Sequence, residues 1–199
     1  LSEARVRALL DGYPQGDLAS GSDAAKIAAL YHGFLDEAAI EKLGAKPLQP
    51  YLAQIRAAKD HAAMARLMGS QDGPYSSFFG LGVSDDQKDP DNYALYMSQS
   101  GLGLGDREMY LRENFTEQRQ RYQAYIAQLL TLAGWGKPAD NAKAILALET
   151  KVAEAHWTRA ESRNRDKTYN PKALVDFAKD APGFDWAGFF KAAGVDHAQ

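Results

Sequence analysis

The 199 residues include 45% apolar side chains, a net charge of −3 and no cysteine. A packed core is therefore possible, while general disorder, disulfide bridges, thiol catalysis and Cys-ligated zinc are excluded. Acidic and basic residues are interspersed, which argues against a nucleic-acid face, and no apolar run approaches the roughly 20 residues of a membrane span.

Most of the chain has helical period. Ser22 is a good N-cap, and Ile27, Leu30, Tyr31, Phe34, Leu35 and Ala38 follow it at i, i+3, i+4 spacing as far as Gly44, a natural C′ residue. Pro47 opens a second short helix with Leu48, Leu52 and Ile55, and Asp60 caps a third that runs through Met64 and Leu67 to Gly69. The pattern then changes. An apolar Phe78–Val83 run, polar turn residues 84–91 and Tyr93–Met97, rich in β-formers, predict one β-hairpin over about residues 78–98. A long helix is expected from Asp106, with Tyr110, Phe115, Tyr122, Ile126, Leu129 and Leu130 on one side, ending at Gly134 and Gly136. A second is expected over about 140–159, with Ile145, Leu148, Val152 and Trp157 inward. Asn170-Pro171 reads as the cap and first residue of a short helix, and Asp185 caps a final one that stops at Gly194. The fold class is mainly α, a multi-helix domain with one hairpin.

Between hairpin and helix lies Ser98-Gln-Ser-Gly-Leu-Gly-Leu-Gly-Asp106. Gly101, Gly103 and Gly105 alternate, which is not the Gly-x-Gly-x-x-Gly of a dinucleotide loop, and no Gly-Lys-Ser/Thr follows. Asp106 would repel a phosphate at the helix start and serves better as its cap. The favoured reading is a tight strand-to-helix connection, with a cofactor-binding enzyme kept as a distant rival.

Tyr93-Ala-Leu-Tyr-Met-Ser-Gln-Ser-Gly-Leu-Gly-Leu-Gly-Asp-Arg-Glu-Met-Tyr110 resembles a segment of the neprilysin/PepO family of zinc metallopeptidases. Gln99, Leu102, Gly103, Leu104, Arg107 and Tyr110 match its pattern; Gly105 stands where that family usually has Pro, and Glu108 where it usually has Asp. Residues 26–31, 36–40, 44–48, 78–80 and 83–86, then Glu149, Ala153, residues 156–166 and Tyr169-Asn170, extend the resemblance in the same order. It implies that residues 1–199 are the N-terminal, non-catalytic helical region of such an enzyme, an access-limiting lobe plus connecting segments. The partners implied are the C-terminal catalytic lobe of the same polypeptide and peptide substrates. The first residue is Leu rather than Met, consistent with a piece of something longer, and no signal peptide is visible. The compartment is left open, with a periplasmic or secreted parent the favoured case.

That family holds zinc through His-Glu-x-x-His, whose histidines share one helix face, and through a later Glu. Here His32, His61, His156 and His197 are followed by Gly, Ala, Trp and Ala, and none has a His four residues on. The chain is therefore expected to contribute no catalytic residue and no metal ligand, to need no cofactor itself, and to be inactive alone, with zinc belonging to the parent. Separated from its other lobe, it should expose apolar surface.

Tyr93, Tyr96 and Tyr110, with Phe78 and Phe79, form an aromatic group expected to join hairpin to helices, or else to face the substrate cavity. Gln99 and Arg107 belong to the same segment. Arg163 and Arg165 could grip a peptide carboxylate, but pairing with Glu161 and Asp166 is the expected role. Glu149 and Glu154 are expected on a solvated helix face. A stand-alone helical protein-interaction module is the alternative reading.

Overall fold

The computed structural model describes residues 2–14, 16 and 18–195. His197 lies outside the described residues. The chain divides into two units, 1–47 and 48–199.

The first unit contains α1 (Ser2–Asp11), α2 (Asp23–Leu35) and α3 (Glu37–Leu43). Ser22 caps α2 by accepting from the Ala25 amide, and Gly44, at φ 52°, closes α3. The single helix expected between these residues is broken at Asp36. Its ψ of 74° leaves the helical region, and its carboxylate accepts from the Ala39 amide at 2.9 Å to start a new helix. The Tyr31 hydroxyl donates to Asp11, and His32 Nε2 lies 2.9 Å from the Tyr13 carbonyl oxygen. Among the described residues of this unit only Ala28 is a buried hydrophobic, while Leu30 and Phe34 are each 77% exposed.

The second unit begins with α4 (Gln49–Ala57), preceded by a 3-10 turn at Lys46–Leu48, and α5 (His61–Gly69), capped by Asp60. Strands β1 (Phe79–Asp85) and β2 (Tyr93–Gln99) then form an antiparallel hairpin in the register Phe79↔Gln99, Gly82↔Tyr96, Asp85↔Tyr93. It is the one sheet among the described residues, and its Phe79, Leu81 and Met97 pack against Trp186, Phe189 and Phe190.

Next come α6 (Arg107–Leu111), a 3-10 turn at Glu113–Phe115, α7 (Thr116–Leu132) and α8 (Pro138–Ala155). The uninterrupted helix expected from Asp106 is instead broken at Arg112, whose backbone is extended at φ −90°, ψ 142°. Arg119 makes that break tolerable. Its Nη1 donates to the carbonyls of Met109 and Arg112 on either side of the break, each at 2.8 Å. Helix α8 starts and ends earlier than expected, with Pro138 in its first turn and His156 at its C-cap. Arg56 of α4 stacks 4.8 Å from the Trp135 ring centre and donates to the Ala133 carbonyl, tying α4 to the α7–α8 turn.

The chain ends in α9 (Arg159–Ser162), α10 (Arg165–Thr168), α11 (Phe177–Asp180) and α12 (Trp186–Ala192). No helix starts at Asn170-Pro171. The Asn170 amide donates back to the Lys167 carbonyl at 2.7 Å, so it closes α10 rather than opening a new helix. Asp185 caps α12 through the Gly188 amide, as expected.

The core lies where α12 meets α5 and the hairpin. Trp186, Phe189 and Phe190 are buried, and Phe79, Leu81, Met97, Phe177 and Phe184 pack around them. Phe79 sits 4.9 Å, centre to centre, from Trp186 and edge-on to Phe184 and Phe189. The helices approach so closely that a Cβ on Gly69 would lie 2.2 Å from the Phe189 carbonyl oxygen. Only glycine fits there.

Candidate functional site

The glycine connector is pinned on both sides to the end of α8. The Gln99 side chain brackets the Trp157 backbone, accepting from its N–H at 2.8 Å and donating to its carbonyl at 3.1 Å. Gly101 and Gly105 turn the chain with φ of 88° and 78°. Gly103 has a different task, since a Cβ there would sit 1.8 Å from the Tyr122 hydroxyl. The connector makes room for that hydroxyl. Asp106 then caps α6 through the Glu108 amide, and its second oxygen pairs with Arg159 Nε at 2.7 Å. Both carboxylate oxygens are therefore occupied, and an anion would meet a negative group at this turn.

Tyr110 and Tyr122 converge on Glu149 of α8. Tyr110 donates to Oε2 at 2.6 Å and Tyr122 to Oε1 at 3.0 Å, while the Leu104 amide donates to the Tyr110 hydroxyl at 2.9 Å. Burial, reinforced by the carboxylate, pushes the Tyr110 phenol up and the Tyr122 phenol to about 12. Both tyrosines are thus fixed as neutral donors. Glu149 does not lie on the solvated face expected of it. The sign was present in the spacing: Ala142, Ile145, Glu149 and Val152 repeat at helical intervals, which puts the carboxylate on the inward stripe.

Arg107 donates from Nε to the Ala153 carbonyl at 3.2 Å and pairs through Nη1 with Glu108 at 2.7 Å. The Arg112 guanidinium, helped by Arg107, holds the Glu108 carboxyl below its usual range. His156 is half-buried beside this pair. Burial depresses its basicity and Arg107 adds to the effect, although a bond with the Ser100 backbone partly opposes it.

The expected aromatic group does not assemble. Phe79 joins the Trp186 core and Tyr110 the Glu149 node, while Tyr93 is 79% exposed. Tyr96 reaches the hairpin tip, donating to the Asp85 carbonyl and accepting from the Gln87 amide. Strand alternation sends neighbouring rings to opposite faces. Trp157, expected inward, lies beyond the end of α8 with Lys167 4.8 Å over its ring.

The lock expected around Arg163 and Arg165 exists with other members. Glu161 forms a capping box with Thr158 and pairs with Lys167 Nζ at 2.6 Å, contacts that bring its pKa down to about 2. Neither Arg163 nor Arg165 forms an ion pair among the described residues. Both are exposed, Arg165 in α10 and Arg163 beside a cleft of about 470 Å³ between the connector and α9.

The zinc implied by the family resemblance does not fit these side chains. Among the described residues no three His, Asp or Glu form a group that could hold a metal ion. His32 is engaged by a backbone carbonyl, and the other described histidines, His61 and His156, sit at the start of α5 and the end of α8. Among the described residues, no helix is long and apolar enough to cross a membrane.

The model of Peptidase family M13, in its N-terminal part, matches residues 1–199. The chain is similar to rat endothelin-converting enzyme 1, with 28% identity over 94% of this chain and 26% of that protein. It is likewise similar to rat endothelin-converting enzyme-like 1, with 28% identity over 93% of this chain and 26% of the relative. Among solved structures it matches the Mycobacterium tuberculosis zinc metalloprotease Zmp1 in complex with an inhibitor, with TM-score 0.82 and 36% identity over 97% of this chain and 30% of that one. The open state of Zmp1 also gives a TM-score of 0.82, with 35% identity. The chain thus spans about a quarter of the length of these curated relatives.

Proposed function

The chain belongs to peptidase family M13, and we propose that it is the non-catalytic, N-terminal part of a zinc metalloendopeptidase that hydrolyses oligopeptides. In this reading residues 1–199 form part of the wall or lid of the substrate cavity, together with connecting segments. They supply shape rather than a nucleophile, a base or a zinc ligand. The zinc and the groups that use it come from a catalytic lobe elsewhere in the same polypeptide, against which this region packs.

The observation that carries the reading is the match of 97% of this chain to only 30% of Zmp1, at a TM-score of 0.82. The chemistry agrees with it. The strongest polar constellation, Tyr110–Glu149–Tyr122, satisfies its own members, so it holds the connector rigid rather than presenting a reactive group. The exposed stripe of Tyr125, Leu129 and Leu132 on α7 is apolar surface of the kind a neighbouring lobe covers.

Reading the coding frame past Gln199 tests this. A His-Glu-x-x-His several hundred residues downstream supports the proposal; an immediate stop codon would favour a stand-alone helical interaction module.

A further inference from the structure

The end of α8 is tied to the glycine connector and its helix at three successive points. The Ala153 carbonyl accepts from Arg107 Nε at 3.2 Å, the His156 imidazole bonds the Ser100 carbonyl, and the Trp157 backbone sits in the Gln99 bracket at 2.8 and 3.1 Å. His156 is the middle tie, and an imidazole is the side chain that ordinarily changes charge near neutral pH. It also lines the cleft of about 470 Å³ between the connector and α9, so a ring that lets go of Ser100 has open space to enter.

The surroundings of this ring disfavour a cation. Arg107 faces it from α6, its own charge already paired with Glu108. Arg159 and Arg163 of the α9 segment line the same cleft. Asp106 is the one carboxylate among the lining residues, and Arg159 holds it at 2.7 Å. On the opposite side of the balance stand the Ser100 carbonyl and the last carbonyls of α8, which favour positive charge. Burial and Arg107 outweigh them, and the basicity of the ring is depressed. Two neighbouring carboxylates stay ionised while the ring titrates, since Glu108 is held below its usual range and Glu161 at about 2.

We propose that His156 is an acid-sensitive pin: neutral, it fastens the glycine connector to the end of α8, and on taking up a proton it turns out into the cleft and opens that joint. The proton comes from solvent and binds the free ring nitrogen; only hydrogen bonds break. In water the imidazolium regains its hydration and escapes both its half-buried seat and Arg107. Its departure shifts the backbone of residues 156 and 157, so the Trp157 N–H and carbonyl leave Gln99. An imidazole less basic in the closed joint takes its proton more readily in the open one. The joint is therefore fully closed above the ordinary value of 6.5 and loosens as pH falls below it.

The test uses the 199-residue chain itself, followed by NMR from about pH 8 to about pH 5. The imidazole signals of His32, His61 and His156 are titrated together with hydrogen exchange of the Trp157 amide, corrected for the intrinsic effect of pH. His156 should titrate below 6.5, and Trp157 exchange should accelerate about tenfold or more with the midpoint of His156 rather than those of the other two rings. The Phe189 and Phe190 amides of the aromatic core should stay protected throughout. His156→Gln, which keeps an N–H donor but takes up no proton, should abolish the acceleration. A His156 midpoint at or above 6.5 overturns the proposal, as does titration of the ring with Trp157 exchange unchanged. Should the glutamine variant fail to fold, the coincidence of the two midpoints in the unaltered chain decides. The readout is confined to one joint of this chain, so its failure is distinguishable from failure of the chamber reading.

Discussion

Two regions of the second unit hold the fold by opposite means. Around α12, Trp186, Phe189 and Phe190 interlock with Phe79, Phe177 and Phe184, and among the described residues no buried polar or charged side chain enters this core. Around Glu149, two tyrosine hydroxyls and one backbone amide form a chain of hydrogen bonds that reaches the glycine connector. The first region gains from apolar area and shape, and tolerates any loss of volume poorly. The second gains less, but it fixes one register of the connector, because an unsatisfied hydroxyl costs more than a satisfied one returns. Stability is thus concentrated in one region and positional specificity in the other.

The largest effect should come from the aromatic core. Trp186→Ala removes the central ring and should cost ~3–5 kcal/mol, measured by urea denaturation of the second unit's signals. A loss below about 1 kcal/mol would mean that the rings are not the main support.

The two glycines at close approaches sharpen the contrast. Gly69→Ala drives a methyl into the Phe189 backbone, which cannot move without shifting α12, so it should cost ~3 kcal/mol. At Gly103 the obstacle is the far end of the Tyr122 side chain, which can swing away at the loss of one bond to Glu149. Gly103→Ala should therefore cost ~1 kcal/mol and be non-additive with Tyr122→Phe in a double-mutant cycle. Equal costs at the two glycines would erase the distinction drawn here. At the node, Glu149→Ala leaves two phenols without their acceptor and should cost ~2 kcal/mol, while Glu149→Gln, which keeps one acceptor oxygen, should cost less.

Much of this was readable in the sequence. Ser22, Asp60 and Asp185 announce their helices because a short polar side chain before an apolar run has one good use. The hairpin followed from an apolar run, turn residues and a stretch of β-formers, and the mainly α class from helical period. The breaks at Asp36 and Arg112 were hidden because each is satisfied by a side chain, Asp36 by its own carboxylate and Arg112 by Arg119 seven residues on. Periodicity continues through such breaks. In the candidate site, Arg107 and Gln99 were identified, but their partners are the backbones of Ala153 and Trp157, which residue type does not reveal. Glu161 was matched with the wrong cation because Lys167 is six residues away and meets it only through the turn between α9 and α10.

The smallest predicted effect is at alkaline pH. The ordinary phenol pKa is 10.0, and Tyr122 is pushed up to about 12 when folded. Its contribution is complete below pH ~10 and is lost as pH rises toward the folded value, since the unfolded chain ionises first. Tyr122→Phe should flatten that alkaline decline in a melting-temperature series. An unchanged slope would show that the Tyr122–Glu149 contact is not maintained in solution.

The proposed function has these residues shape a reaction chamber without performing its chemistry. Its most direct test is to measure bound zinc and peptide cleavage together on the purified 199-residue chain after incubation with excess zinc and removal of the unbound metal. We expect no stoichiometric zinc and no cleavage above the buffer rate; one zinc per chain with steady hydrolysis of a test peptide would contradict the account.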